Sequence, residues 1–233
     1  MKIKNKFYDD KVVFKPWGYE YVVYRNANNL CVTLLNIKYN KTTSLHCHPQ
    51  KKSGFILLKG KASFQLGLRK KNKEVHSSPS KRMMARGLFH SIKSISKNGL
   101  LALEFETPAN KNDLVRYKDK YGRENKPYEG KKFTKIKESS LIKFKSPKYG
   151  IDQNYEIGEV FVSLEVHNNF RKLLKNRNTT IFGVLGGAVS DDKGRNVLSH
   201  GDIVKTDDLR ILSKVFKIKK KLSVIKVIKK WLD

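Results

Sequence analysis

The chain has 233 residues, enough for one large domain or two small ones, and its 39% hydrophobic residues fall in short runs such as Val32 to Leu35 that suit a folded chain rather than a disordered one. No apolar run nears the roughly 20 residues a membrane helix needs. The formal charge of +29 comes from forty lysines against only ten arginines, spread from Lys2 to Lys230 without a zinc finger, a recognition helix or an RNA-binding aromatic motif, so a solvated surface is expected and no specific nucleic-acid or membrane partner.

In chain order, the basic start Met1-Lys2-Ile3-Lys4-Asn5-Lys6 leads into no apolar signal core. Short β-branched and aromatic runs then alternate with Gly, Asn, Asp and Lys turns. Strands are expected at Tyr19 to Tyr24, Leu30 to Ile37, Ser44 to His48, Gly54 to Leu58, Ala62 to Leu68, Met83 to Ala85, His90 to Ile95 and Leu100 to Glu106. Eight short strands suit a jelly roll, and they define a first domain over 1–125. A Lys-rich stretch with Pro127, Gly130 and Pro147 reads as a connector over 126–150 with little core of its own.

Beyond it, over 151–233, strands are expected at Glu159 to Glu165, Thr180 to Leu185, Gly187 to Val189, Ile203 to Lys205, Arg210 to Leu212 and Leu222 to Ile228. The segment Val184 to Val189 parallels Leu57 to Ala62, a weak internal repeat that makes the second half a reduced copy of the first. The tail Lys214 to Lys230 alternates Lys with apolar residues, which predicts strands with one wet face and then a short terminal helix.

The strongest chemistry lies in Ser44-Leu45-His46-Cys47-His48-Pro49, because residues two apart on a strand point the same way. His46 and His48 therefore share a face, and Cys47 should point away. Later, Arg86-Gly87-Leu88-Phe89-His90 sets a third His at the start of another strand, just after a Gly turn. Three neutral imidazoles make a site for a divalent metal (Zn, Mn, Fe or Ni) with positions left open. Cys31 and Cys47 are too few for a disulfide scaffold and fit a reducing compartment, so a cytoplasmic protein is expected.

These residues carry a family resemblance. The chain resembles the cupin superfamily, and more narrowly the cupin-type mannose-6-phosphate isomerase domains often fused to a mannose-1-phosphate guanylyltransferase. The matching features are Lys15-Pro16-Trp17-Gly18, His46-Cys47-His48, Phe55 to Gly60, Gly87-Leu88-Phe89-His90, and Glu104-Phe105-Glu106 with the exit segment Asn112 to Arg123. The resemblance implies an all-β double-stranded β-helix, here a bicupin with a degenerate second barrel. It also implies metal-dependent exchange of aldose and ketose phosphates in polysaccharide or glycoconjugate precursor metabolism. The family's metal-binding Glu has no counterpart in Gln50-Lys51-Lys52-Ser53, and Ser44 stands where the isomerases tend to carry Gln.

Within that reading Glu104 and Glu106, alternating with Leu103 and Phe105, are the candidate bases moving a proton between adjacent carbons. Arg116 and Arg123 either grip a substrate phosphate or pair with Asp113, Asp119 or Glu124. Trp17 should plug the barrel. His167 and His200 have no partner at ligand spacing, so the second half is expected to be metal-free, covering a barrel edge, forming a homodimer or recognising a carbohydrate. Two other readings stay open: a three-histidine Fe(II) dioxygenase, favoured by the missing carboxylate, and a non-catalytic sugar-binding or regulatory cupin.

Overall fold

The computed structural model describes residues 4–230; the expected terminal helix falls on 231–233, outside the described residues. The first run of strands is β1 (Lys11–Lys15), β2 (Gly18–Arg25), β3 (Cys31–Ile37), β4 (Leu45–Cys47), β5 (Lys52–Lys59), β6 (Lys61–Leu66), β7 (Lys73–Ser77), β8 (Ser80–Met84), β9 (His90–Ser94), β10 (Leu100–Thr107) and β11 (Val115–Lys118). A further strand, β12 (Thr134–Ile136), pairs with β1. One antiparallel sheet has the order β12-β1-β2-β3-β10-β5-β8, the other β11-β4-β9-β6-β7. The eight strands β3 to β10 thus divide into β3-β10-β5-β8 and β4-β9-β6-β7, the interleaving of a double-stranded β-helix. Between the two sheets lie Trp17, Leu35, Phe55, Leu57, Phe64 and Ile92, so Trp17 fills the barrel interior as its position predicts.

The second half holds β13 (Gln153–Ile157), β14 (Val160–His167), helix α1 (Arg171–Leu174), β15 (Ile181–Ser190), β16 (Asn196–Ser199), β17 (Ile203–Lys205), helix α2 (Thr206–Leu212) and β18 (Lys217–Lys229). Its sheet runs β13-β14-β18-β15-β16, with β17 also on β15. A reduced second cupin is compatible with this sheet. Its inner face packs on the back of the first sheet, where Val32, Leu34, Ile56, Leu58, Leu103 and Phe105 share one core with Val160, Val162, Leu164, Ile181 and Ile225. The molecule is therefore layered, with the first sheet buried on both faces, which is why its strands read as nearly unbroken apolar runs.

The structure adds strands β1, β7, β11, β13 and β16 where the sequence reading expects none, and it differs in kind at three further places. Arg210 to Leu212, expected as a strand, ends helix α2, whose Asp208 carboxylate accepts the Lys205 backbone N–H at 2.8 Å, as a helix start requires. Thr180 to Leu185 and Gly187 to Val189 are one strand, because Gly187 sits at a bulge inside β15, whereas Gly60 separates β5 from β6. The stretch 126–150 does more than connect, since it supplies β12 and buries Phe144 in the shared core.

Candidate metal centre

Strand β4 carries His46, and His48 follows its end; His46 is the cross-strand partner of His90 on β9. The ring centroids lie 4.9 Å (His46 to His48), 4.6 Å (His46 to His90) and 5.5 Å (His48 to His90) apart. Each Nδ1 meets a backbone carbonyl: His46 that of Ser44 at 2.8 Å, His48 that of Asp113 at 2.6 Å and His90 that of Leu88 at 2.9 Å. A carbonyl only accepts, so each Nδ1 carries the proton and each Nε2 keeps its lone pair. The Nε2 of His90 is buried without a hydrogen-bond partner.

Burial, followed by the neighbouring imidazoles, holds His46 well below the ordinary histidine range; burial and then Lys51 do the same for His48. Burial brings His90 down to about 4. The three ligand atoms lie within 4.8 Å of one another. Three nitrogens about 2.1 Å from one ion are at most about 4.2 Å apart, so rings shifting by a few tenths of an ångström would share it. The orphaned Nε2, the fixed tautomers and the spacing fit a borderline divalent metal. Among the described residues no other group of three such side chains converges, the second half included.

The exit segment explains itself here. Strand β11 pairs with β4, placing Val115 opposite Cys47 and Arg116 opposite His46. Just before it, the Asp113 carboxylate accepts the backbone N–H groups of Gln50 and Lys51 at 2.8–3.2 Å while its carbonyl holds His48. Asp113, considered from sequence only as a partner for arginine, instead fixes the turn behind the His pair. Cys47 is buried and unpaired.

His46 and His48 line a cavity of about 60 Å³ together with Glu104, Glu106, Arg116 and Arg123, so every residue singled out for chemistry from sequence except His90 lines it. On β10, Glu104 and Glu106 face Phe55 and Ser53 of β5. Burial, then the charge on Glu106, pushes the Glu104 carboxyl up to about 8. Burial opposes the charge on Glu106 too, but the ammoniums of Lys111 and Lys51 hold it well below the usual range. Lys111 lies 2.7 Å from Glu106, and Lys51 also bonds it.

Arg116 donates to the carbonyls of Lys126 and Pro127 and pairs with Glu129 at 3.3 Å. Arg123 binds Asp119 at 2.8 Å and Glu129 at 2.6 Å. Arg116 Nε, by contrast, is a buried donor without a partner. Sequence reasoning missed Lys15, Glu20, Lys51, Lys111, Tyr128 and Glu129, which complete this buried charged network. Among forty lysines nothing in the string marks the three that point inward.

The fold and cluster together define a double-stranded β-helix protein of the cupin type with a three-histidine site able to hold a metal. No protein-family model and no curated protein matches the chain. Among solved structures it is similar to CapF bound to the inhibitor 3-isopropenyl-tropolone (14% identity over 46% of this chain and 34% of that one, TM-score 0.42). It is also similar to KdgF from Halomonas sp. (13% identity, 40% and 82%, TM-score 0.35) and to oxalate oxidase in complex with the substrate analogue glycolate (16% identity, 44% and 57%, TM-score 0.38). The chain spans about a third of the CapF chain it matches. The fold assignment rests on strand order and packing. No helix among the described residues is long and apolar enough to cross a membrane.

Proposed function

We propose that the protein is a metal-dependent cupin that moves a proton between adjacent carbons of a sugar or sugar phosphate, in the manner of a mannose-6-phosphate isomerase. The observation that carries this reading is that Glu104, a carboxyl that burial pushes up to about 8, lines the same cavity as His46 and His48. A divalent ion on His46, His48 and His90 would polarise a carbonyl or hydroxyl oxygen of the substrate. The ionised fraction of Glu104 would take the proton from one carbon and, as the acid it becomes, return it to the neighbouring carbon, with a raised pKa suited to work near neutrality. Glu106, ionised and gripped by two lysines, would hold the charge balance around it. Arg116 offers its free Nε to an anionic substrate group, and Arg123 stiffens the wall beside it.

The enclosed space is far below the roughly 300 Å³ at which small-ligand pockets begin, so a sugar must widen it on binding. The second half, 151–233, belongs to this proposal as a metal-free module, with a homodimer as the working assembly. The test is deuterium uptake from heavy water into mannose 6-phosphate and fructose 6-phosphate by the metal-loaded protein. Exchange that disappears in Glu104→Gln while metal content stays constant is expected; metal-loaded protein giving no exchange on any aldose or ketose phosphate rejects the isomerase reading. The absence of a carboxylate among the three converging ligands favours a second reading as a three-histidine Fe(II) dioxygenase. Stoichiometric iron with oxygen uptake would select it.

A further inference from the structure

Strand β14 buries Val160, Val162 and Leu164 in the shared core, so its other face should be wet and polar. Polar it is, but Ser163, Glu165 and His167 on that face are only 6–7% exposed. Ser163 Oγ donates to Glu165 at 2.8 Å, His167 Nε2 lies 2.9 Å from the other carboxylate oxygen, and Lys226 pairs with the same group. Burial works against the charge on Glu165, yet these three donors hold its carboxyl at about 2. An ionised carboxylate accepts from Nε2–H, which fixes the ring and leaves Nδ1 as the nitrogen not engaged by Glu165. Ser163 bonds the carboxylate rather than the imidazole, so the trio is no nucleophile and base; it orients a ring.

Glu165 and His167 line a cleft of about 280 Å³, several times the cavity at the metal cluster and close to the lower limit of about 300 Å³ for small-ligand pockets. The other walls combine three kinds of group. Asn168 and Asn169 offer amides and Asp152 a carboxylate, all suited to hydroxyl groups. Tyr149, 56% exposed, offers a ring face and accepts from Asn168 at 3.3 Å. Arg171 and Lys172 are exposed cations that make no ion pair among the described residues, and Glu165, already paired with Lys226, does not neutralise them.

We propose that this cleft is a second ligand site, separate from the metal cluster, that takes an anionic monosaccharide: a sugar bearing a phosphate or a carboxylate. Arg171 and Lys172 meet the anion, the amides and Asp152 meet hydroxyls, and His167, held by Glu165, meets one hydroxyl at Nδ1.

The test is calorimetric titration of the full chain with glucose 6-phosphate, glucuronate, glucose and inorganic phosphate at near-physiological salt, which screens the diffuse attraction of a chain charged +29. It is repeated on His90→Ala to separate the two sites. Saturable binding of both acidic sugars that persists in His90→Ala is expected, falling about ten-fold in the double variant Arg171→Ala with Lys172→Ala and more modestly in His167→Gln. The ring resonances of His167 in the unaltered protein give a readout independent of any variant's folding, and should move with glucuronate. Four outcomes overturn the site: no saturation by about 10 mM, glucose binding as well as the acidic sugars, phosphate alone binding as well as glucose 6-phosphate, or loss of all binding in His90→Ala.

Discussion

His90 is the residue on which the metal reading turns. Without it His46 and His48 offer two imidazoles, too few for a borderline metal. The His90→Ala variant should therefore lose stoichiometric metal while keeping a cooperative melt, because the core beside it, built by Phe55, Phe64 and Ile92, does not depend on the ion. Metal analysis beside thermal melts with and without chelator checks this, and full occupancy in the variant removes His90 from the ligands. Glu104 makes a separate claim. With its carboxyl near 8, exchange that needs the ionised base should rise as pH is raised through about 8, and a deuterium-uptake rate that stays flat from about pH 7 to about pH 9 would remove Glu104 from the proton transfer. Asp113→Ala should loosen the Gln50–Lys51 turn and free the carbonyl that orients His48, lowering metal affinity about 10- to 100-fold at unchanged stoichiometry; unaltered affinity would mean that the clamp is idle. At this scale the three histidines were legible because strand period and a Gly turn are local signals. Asp113 was not, since its part is played through a main-chain carbonyl and two N–H groups.

Strand β10 shows why element-level reading succeeded and where it stopped. Period two put Glu104 and Glu106 on one face, which the structure turns into the barrel. The other face, Leu103 and Phe105, meets a sheet more than 50 residues away in sequence, a layer that no local pattern announces. Contact there is tight enough to need glycine. A Cβ on Gly183 of β15 would lie 2.3 Å from the Phe105 ring, and one on Gly54 of β5 would lie 2.7 Å from Ile203. Gly183→Ala should then destabilise by about 1–3 kcal/mol through overpacking, and adding Phe105→Leu should recover part of the loss. Urea melts of the single and double variants measure it; additive effects would show that the two residues do not touch. Helix α2 escapes a sequence reading for the opposite reason. Its start signal, Thr206-Asp207-Asp208 before Leu209, is local, but Ile211 and Leu212 fit a short strand as well as the last turn of a helix.

At the scale of the whole molecule the question is whether the barrel stands without the second sheet. The sequence suggests a first domain over 1–125 that folds around its own core, and the residues between the two barrel sheets do form such a core. Yet the barrel's back face is part of a larger cluster to which the second half contributes Ile157, Val160, Val162, Leu164, Ile181, Leu185, Ile203, Ile225 and Val227. Covering a Val, Leu, Ile or Phe side chain is worth about 1.5–3 kcal/mol, and a domain's net stability is only about 5–15 kcal/mol. Uncovering Val32, Leu34, Ile56, Leu58, Leu103 and Phe105 at once would consume most of that. It would also leave an apolar face larger than soluble monomers tolerate. A fragment ending at 150 should therefore bind a hydrophobic dye, lose its near-ultraviolet dichroism and aggregate, while the full chain melts as one unit. Co-expression of 1–150 with 151–233 should restore a soluble complex, since the interface is apolar on both sides. If instead 1–150 is a monomer with a sharp melt and a stoichiometric metal, the shared cluster contributes little, and the two halves are independent domains that merely touch.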